Sequence, residues 1–261
     1  MNILERFSLQ DKVALITGGA GLFGRQIVAG LAQAGARTFV ASRSLETVEE
    51  VAAEQRDAGW DVTALQYDQA DEKSILALRD EVLKRAEKID VLVNNSVLRP
   101  MKRAFEDDAE TFAQSMQVNA TGLFLITRAF GDAMAQNGSG SIVNIGSIHG
   151  MIGPDPTIYR GTEMSGWYPD YFFHKGGMLN FTRFIASYYG AKNVRCNVLS
   201  PGGFQTEKMP EIFVRQYSER TFLGRLADDH DLQGAVVFLA SDASRYITGV
   251  NLPVDAGYTA K

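Results

Sequence analysis

Residues 168–177, YPDYFFHKGG, set two tyrosines, a histidine and a lysine within a few positions of one another. Residues four apart share a helix face. If the stretch is helical, Tyr171 therefore stands beside Lys175, whereas Tyr168 finds only Phe172 at that offset. An ammonium next to a phenol favours the phenolate and draws its pKa toward the range where it exchanges protons at neutral pH. A second Tyr-x-x-x-Lys, Tyr188 with Lys192, straddles Gly190, a candidate helix C-cap, so its members should not share a face. His174 points away from Lys175 on the helix and reads as a packing or interface residue.

A second constellation opens the chain. VALITGGAGLFGRQIV runs from a strand through a turn, Thr17, Gly18, Gly19, Gly21, Leu22, Phe23 and Gly24, into an amphipathic helix. Gly19, Gly21 and Gly24 fit G-x-G-x-x-G in the strand–turn–helix frame that a dinucleotide site requires. Glycines let backbone approach a pyrophosphate, and the free N–H groups of the following helix favour its charge. A site selective for NAD carries an acid about 20 residues further on, against the ribose. Here the second strand ends in Ser42 and Arg43, with the first acid beyond at Glu46, so a 2′-phosphate meets a cation. NADP(H) is the favoured cofactor, and NAD(H) stays open.

These groups need a frame, and the chain supplies it by alternation. Short β-branched runs at 13–19, 37–43, 62–68, 90–95, 141–147, 194–200 and 251–257 are separated by stretches with apolar residues at helical spacing, such as 25–35, 46–59 and 73–88. Parallel neighbours need crossovers, so strand–helix–strand repetition predicts an α/β chain. The expected fold is a single doubly wound Rossmann-fold domain over 1–261, with about seven mostly parallel strands and helices on both faces. Function in such sheets sits at the carboxyl ends of the strands.

Composition agrees with an enzyme of small molecules. The 261 residues are 45% hydrophobic and 22% charged, with a net charge of −5. That balance offers no general attraction to nucleic acid or an anionic membrane, and none of the chain has the apolar length of a membrane span. A cytoplasmic protein is expected. One cysteine, Cys196, excludes an internal disulfide and reads as a packed core thiol; with His149, His174 and His230 scattered, no metal spacing appears.

The glycine turn, the Asn-Asn-Ser after the fourth strand, Asn119, Ser147 closing the fifth strand, Tyr171-x-x-x-Lys175 and SPGGFQT after the sixth together resemble the short-chain dehydrogenase/reductase family, over nearly the whole chain. The resemblance implies roles. Tyr171 would be the general acid/base, Lys175 would hold the nicotinamide ribose and lower the tyrosine pKa, and Ser147 would hydrogen-bond the substrate oxygen. Asn119 would hold a water linking Lys175 to solvent. Asp68 would meet adenine, Asn94 would support the strand end beside the cofactor, and Pro201, Gly202 and Thr206 would frame the nicotinamide. A homo-oligomer, a tetramer, is implied as well.

Three departures stand out. The family's second turn glycine falls at Leu22, and Asn-Asn-Ala-Gly appears as Asn94-Asn95-Ser96-Val97. The stretch 150–170, before the reactive tyrosine, is longer than the family norm. Its Tyr159, Arg160, Glu163 and Trp167 suit a polar, hydroxylated substrate, as does His149 nearby. Arg99, Lys102 and Arg103 follow the fourth strand on the functional side and suit an anionic group. Residues 204–225 are expected to form a mobile substrate lid. The activity implied is an NAD(P)-dependent dehydrogenase or reductase of a sugar-derived alcohol or ketone; the alternatives are a 3-oxoacyl-carrier-protein reductase and a non-catalytic cofactor-binding regulator.

Overall fold

The computed structural model describes residues 2–166 and 168–260. Seven strands, β1 (Val13–Thr17), β2 (Arg37–Ser42), β3 (Val62–Gln66), β4 (Val91–Asn94), β5 (Gly140–Ile145), β6 (Val194–Pro201) and β7 (Asn251–Val254), form one sheet in the order β3-β2-β1-β4-β5-β6-β7. Every adjacent pair is parallel. The strands match the runs expected from sequence, and most stop a residue or more short of them because the last residues of each run turn out of the sheet into loops. Chain order reverses between β1 and β4, and a crevice forms at such a switch point.

Among the described residues there are eight α-helices: α1 (Leu22–Gln33), α2 (Leu45–Asp57), α3 (Glu72–Ala86), α4 (Ala109–Met116), α5 (Leu123–Asn137), α6 (Pro169–Tyr189), α7 (Glu211–Ser218) and α8 (Gln233–Ala240). Successive strand residues point to opposite faces, and β1 divides its side chains accordingly. Ala14 and Ile16 join Ile27 and Leu31 of α1, Val51 of α2 and Val236 of α8. Val13 and Leu15 join Ile75 of α3, Phe130 of α5 and Ile185 of α6 on the other face. A strand buried on both faces reads as an unbroken apolar run, which is why VALIT shows no polar alternation. Cys196 is part of the second core, and burial pushes its thiol pKa up.

A buried polar ladder crosses this apolar frame. Asn94 at the end of β4 donates to Asn144 Oδ1 of β5 at 2.8 Å and to Thr127 of α5 at 3.2 Å, and Asn144 donates to Thr182 of α6 at 2.8 Å. Buried amides are tolerated only when bonded; here the bonds tie the central strand ends to the helices that carry the site. Among the described residues, no helix is long and apolar enough to cross a membrane.

Candidate active site

A cleft of about 780 Å³ opens at the carboxyl ends of the central strands. Its glycine end is built by steric necessity. Gly18 has φ 67°, and a Cβ there would lie 2.9 Å from Ser96 Cα. At Gly24 a Cβ would meet the backbone of Gly18 and Gly19, with Gly19 C and O both at 2.7 Å. Gly21, by contrast, caps α1 with φ −71° and would have only Gly18 O at 3.5 Å. No side chain caps this helix, so its first N–H groups face the cleft as a ready anion site. Gly18, Gly21, Leu22, Phe23 and Gly24 all line the cleft. Thr17 and Gly19 lie behind it. Thr17 Oγ1 accepts the N–H groups of Asn95 and Ser96 at 3.1 and 3.2 Å, fastening β1 to β4, while Gly19 packs against Val40 and Val28. Ser42, Arg43 and Asp68 form the far wall.

The reactive end is carried by α6. It begins with Pro169 and runs through Tyr189, and Tyr171 and Lys175 share a face as their spacing predicts. Gly190 ends the helix, leaving Lys192 in a separate short turn and separating it from Tyr188. The Lys175 ammonium is buried, lies 5.7 Å from the centre of the Tyr171 ring and donates to Ile145 O at 2.5 Å. The Arg99 guanidinium carbon lies 4.1 Å from the same ring centre. Burial by itself raises the Tyr171 pKa; the charges of Lys175 and Arg99, with hydrogen bonds from Ser147 and Arg99, outweigh it and hold the phenol below its ordinary value. Burial, reinforced by Arg99, also lowers the Lys175 pKa against the opposing pull of Tyr171.

The two histidines here are neutral near pH 7. Burial and then Arg99 bring His149 to about 4. Burial, Lys175 and Arg99 bring His174 to about 3. His149 lines the cleft and stacks on Phe172 at 4.5 Å; His174 is buried edge-on to Tyr171 at 5.2 Å, with neither ring nitrogen hydrogen-bonded.

Asn119 lies in a wide π turn, Gln117–Gly122, between α4 and α5. The turn swings its amide to the chain leaving β4: Asn119 Oδ1 accepts Leu98 N–H at 2.9 Å, and Nδ2 donates to Leu98 O at 2.7 Å and Ser115 Oγ at 3.0 Å. Its side chain therefore stands behind the cleft. Asn94 also lies behind it, in the polar ladder, and Asn95, Ser96 and Val97 form the wall instead. Pro201 and Gly202 line the cleft, but Thr206 does not. Tyr159 lines it too, whereas Arg160 is exposed outside it and its carbonyl accepts Gln216 Nε2 at 2.9 Å. Trp167 lies outside the described residues. Tyr168, set aside in the sequence as a partner for lysine, lines the cleft, as does Tyr217. Tyr168 lacks a partner at helical spacing, and Tyr217 comes from α7, distant in sequence; no local signal marks either.

Residues of the 150–170 stretch and of the 204–225 segment share a small core with Ile148, Leu226 and Tyr258. Ile158 and Tyr159 from the first pack with Phe213 and Tyr217 from the second. Asp155 anchors them: its carboxylate accepts Arg220 Nε at 2.7 Å and Thr157 N–H at 2.8 Å, and Arg220 also reaches Thr157 Oγ1. Tyr217 Oη accepts Gly203 N–H at 2.6 Å, fixing this cover to the end of β6.

The family model described as enoyl-(acyl carrier protein) reductase matches residues 20–259. The chain is 33% identical over 260 residues to galactitol 2-dehydrogenase (L-tagatose-forming) of Cereibacter sphaeroides, with 97% of both chains covered. It is 32% identical to 2-dehydro-3-deoxy-D-gluconate 5-dehydrogenase of Pseudoalteromonas atlantica, covering 99% of this chain and 100% of the relative. The crystal structure of a gluconate 5-dehydrogenase from Burkholderia cenocepacia, in complex with NADP and tartrate, superposes with a TM-score of 0.89 at 29% identity over 100% of both chains. With its parallel seven-stranded sheet and a tyrosine–lysine pair at the carboxyl ends of the strands, the chain belongs to the short-chain dehydrogenase/reductase family of oxidoreductases.

Proposed function

We propose that this oxidoreductase uses NADP(H) in preference to NAD(H) and interconverts an alcohol and a ketone on a sugar-derived or polyhydroxylated substrate. The observation that carries the reading is the Tyr171 phenol, held between Lys175, Ser147 and Arg99 at one end of a cleft whose other end is a glycine cradle. The cradle suits a dinucleotide because only glycine leaves room at Gly18 and Gly24, and α1 offers uncapped N–H groups to a pyrophosphate. Arg43 and Asp68, both in the cleft wall, support a 2′-phosphate and an adenine at that end. A nicotinamide, when bound, supplies or takes the hydride.

Tyr171 exchanges the proton of the carbinol oxygen. Its lowered pKa makes the phenolate accessible for taking that proton in oxidation, and the same O–H returns it in reduction. Ser147 donates a hydrogen bond where negative charge grows on the substrate oxygen. Lys175 stabilises the phenolate, and Asn119 holds the Leu98 backbone at the cleft's edge. Tyr159, Tyr168 and His149 present hydroxyl and imidazole groups to a hydroxylated substrate.

Relatives that act on galactitol and on 2-dehydro-3-deoxy-D-gluconate, and a neighbour holding tartrate, support a hydroxylated substrate. The cover made by 150–170 and α7 argues against a carrier-bound acyl chain, which needs an open mouth. Self-association through α6 is part of the same reading, since Phe173, Phe184 and Tyr188 are 67%, 60% and 65% exposed on it; size-exclusion chromatography tests it. The activity is tested by following absorbance with NADP and NAD over aldonates, ketosugars, polyols and a short 3-oxoacyl thioester, for the wild type and Tyr171→Phe. Turnover of a polyol or aldonate that Tyr171→Phe abolishes, with cofactor binding retained, is expected; turnover of the thioester alone refutes the reading.

A further inference from the structure

We propose that Arg99 is the receptor for a carboxylate on the substrate, so that the substrate is a hydroxy acid whose reacting carbinol lies near its acid group. The proposal rests on the dehydrogenase reading of the Tyr171 site and adds to it the charge of the molecule that site takes.

The substrate end of the cleft is cationic, and among the described residues no carboxylate lines it. Its walls hold Arg99 and Lys175, while His149 is neutral and Tyr159, Tyr168 and Tyr171 supply hydroxyls; among the described residues the one acidic residue in the lining, Asp68, is at the far wall. The Lys175 ammonium is buried against Ile145 O. Arg99 is exposed to the cleft, and among the described residues no carboxylate forms an ion pair with it. Its neighbours behave differently. Arg103 faces Asp107 at 3.7 Å, and Lys102 lies over the Tyr168 ring at 5.9 Å. Of the basic turn, Arg99 alone lies over the reactive tyrosine.

This placement is built into the fold. Asn119 grips both the N–H and the carbonyl of Leu98, the residue before Arg99. Asn119 in turn holds Ser115, and Ser115 Oγ donates to the buried Asp170 at 2.5 Å, the residue before Tyr171. A closed ring of contacts thus runs from Tyr171 through Asp170, Ser115, Asn119 and Leu98 to Arg99 and back onto the Tyr171 ring. The guanidinium over the Tyr171 ring also hydrogen-bonds the phenol, and with five N–H donors in a planar fork it keeps others for a second acceptor. A carboxylate takes those by paired charge-assisted hydrogen bonds, beside the oxygen that exchanges its proton with Tyr171.

The test compares two six-carbon probes that differ at one end, D-gluconate and D-glucitol, by calorimetric titration into the protein saturated with NADP, and by steady-state oxidation. In Arg99→Gln, gluconate affinity should fall about 10- to 100-fold, the range for losing hydrogen bonds to a charged group. Glucitol and NADP affinities should hold. Arg99→Lys should recover part of the gluconate loss, because charge remains without the planar fork. Gluconate affinity unchanged in Arg99→Gln, equal loss for both probes, or no gluconate binding by the wild type would each overturn the proposal. The two readings fail separately. Arg99-dependent gluconate binding without turnover leaves the receptor standing and removes the dehydrogenase reading; turnover of glucitol with gluconate indifferent to Arg99 does the reverse.

Discussion

Replacing Gly24 by alanine separates the glycines that shape the cofactor cradle from the one that merely resembles a motif. The added methyl would sit against Gly18 O and 2.7 Å from both C and O of Gly19. All three are backbone atoms, so no side-chain rotation relieves the clash, and the turn itself must move. Overpacking of this kind costs about 1–3 kcal/mol, which lowers the melting temperature by roughly 2–5 °C in a protein of this size. Because the displaced carbonyls belong to the cradle, NADP affinity should fall at least ~10-fold, a loss of about 1.4 kcal/mol. Gly21→Ala is the control. With φ −71° and only Gly18 O at 3.5 Å, it has room for a methyl. The lost N-cap preference, about 1 kcal/mol, is offset by the lower conformational entropy of the unfolded chain, which stabilises by ~0.4–1 kcal/mol. Differential scanning fluorimetry and calorimetric NADP titration of both variants decide the matter. Equal losses in Gly21→Ala and Gly24→Ala would refute the steric argument and restore the plain G-x-G-x-x-G reading.

Oxidation should lose rate as pH falls through the lowered Tyr171 pKa, because the phenolate is the proton acceptor. Groups facing that phenol are Lys175, Arg99, Ser147, His149 and His174, and both histidines stay neutral across the limb, so removing a cation moves it upward: by about 1 pH unit or more in Arg99→Gln, read from kcat/KM against pH with a neutral polyol. Arg43→Ala should raise the KM for NADP about 10- to 100-fold, as expected for a lost bond to a charged phosphate, and leave that for NAD nearly unchanged; equal effects on both would remove the 2′-phosphate role. Burial opposes ionisation of Asp155, but Thr157 and Arg220 outweigh it and depress its pKa to about 2. A depressed carboxylate stabilises above its unfolded pKa and loses that contribution as pH falls through the folded value, so limited proteolysis within 204–225 should accelerate from near pH 4 down toward pH 2, and Asp155→Asn should show the faster cleavage already at pH 7.

Much of this was legible because its signals are local. Every strand and the Tyr171–Lys175 face follow from periodicity and spacing within single segments, the sheet's parallel sense follows from the alternation of those segments, and Gly190 disqualified the rival pair for a reason the structure repeats. Local signals failed where position depends on a partner far away. Leu22 occupies the place of an expected glycine because, at the start of α1, its side chain is 56% exposed and needs no close backbone approach. Arg160 and Tyr159 are sequence neighbours, yet a short helical turn at Pro156–Tyr159 directs the tyrosine into the small core and cleft and leaves the arginine outside.

The basic turn shows the same limit most clearly. In sequence, Arg99, Lys102 and Arg103 are equivalent cations beyond β4. They are distinguished by Asp107, whose carboxylate accepts the N–H groups of Lys102 and Arg103, both at 2.7 Å, and folds their backbone away toward α4. Arg99 lies before that knot, on the peptide that Asn119 holds, so it is the cation that can stand over Tyr171. The π turn makes this possible: a regular α-helix through Gln117–Gly122 would rotate Asn119 to another azimuth and leave the Leu98 peptide without both of its partners. Asn119 thereby acts at a distance on the electrostatics of the phenol. Asn119→Asp keeps the acceptor for Leu98 N–H but loses the donor to Leu98 O and Ser115, and should move the oxidative pH limb in the direction of Arg99→Gln while NADP affinity holds. A limb unmoved in Asn119→Asp would show that the Arg99 geometry does not depend on this clamp.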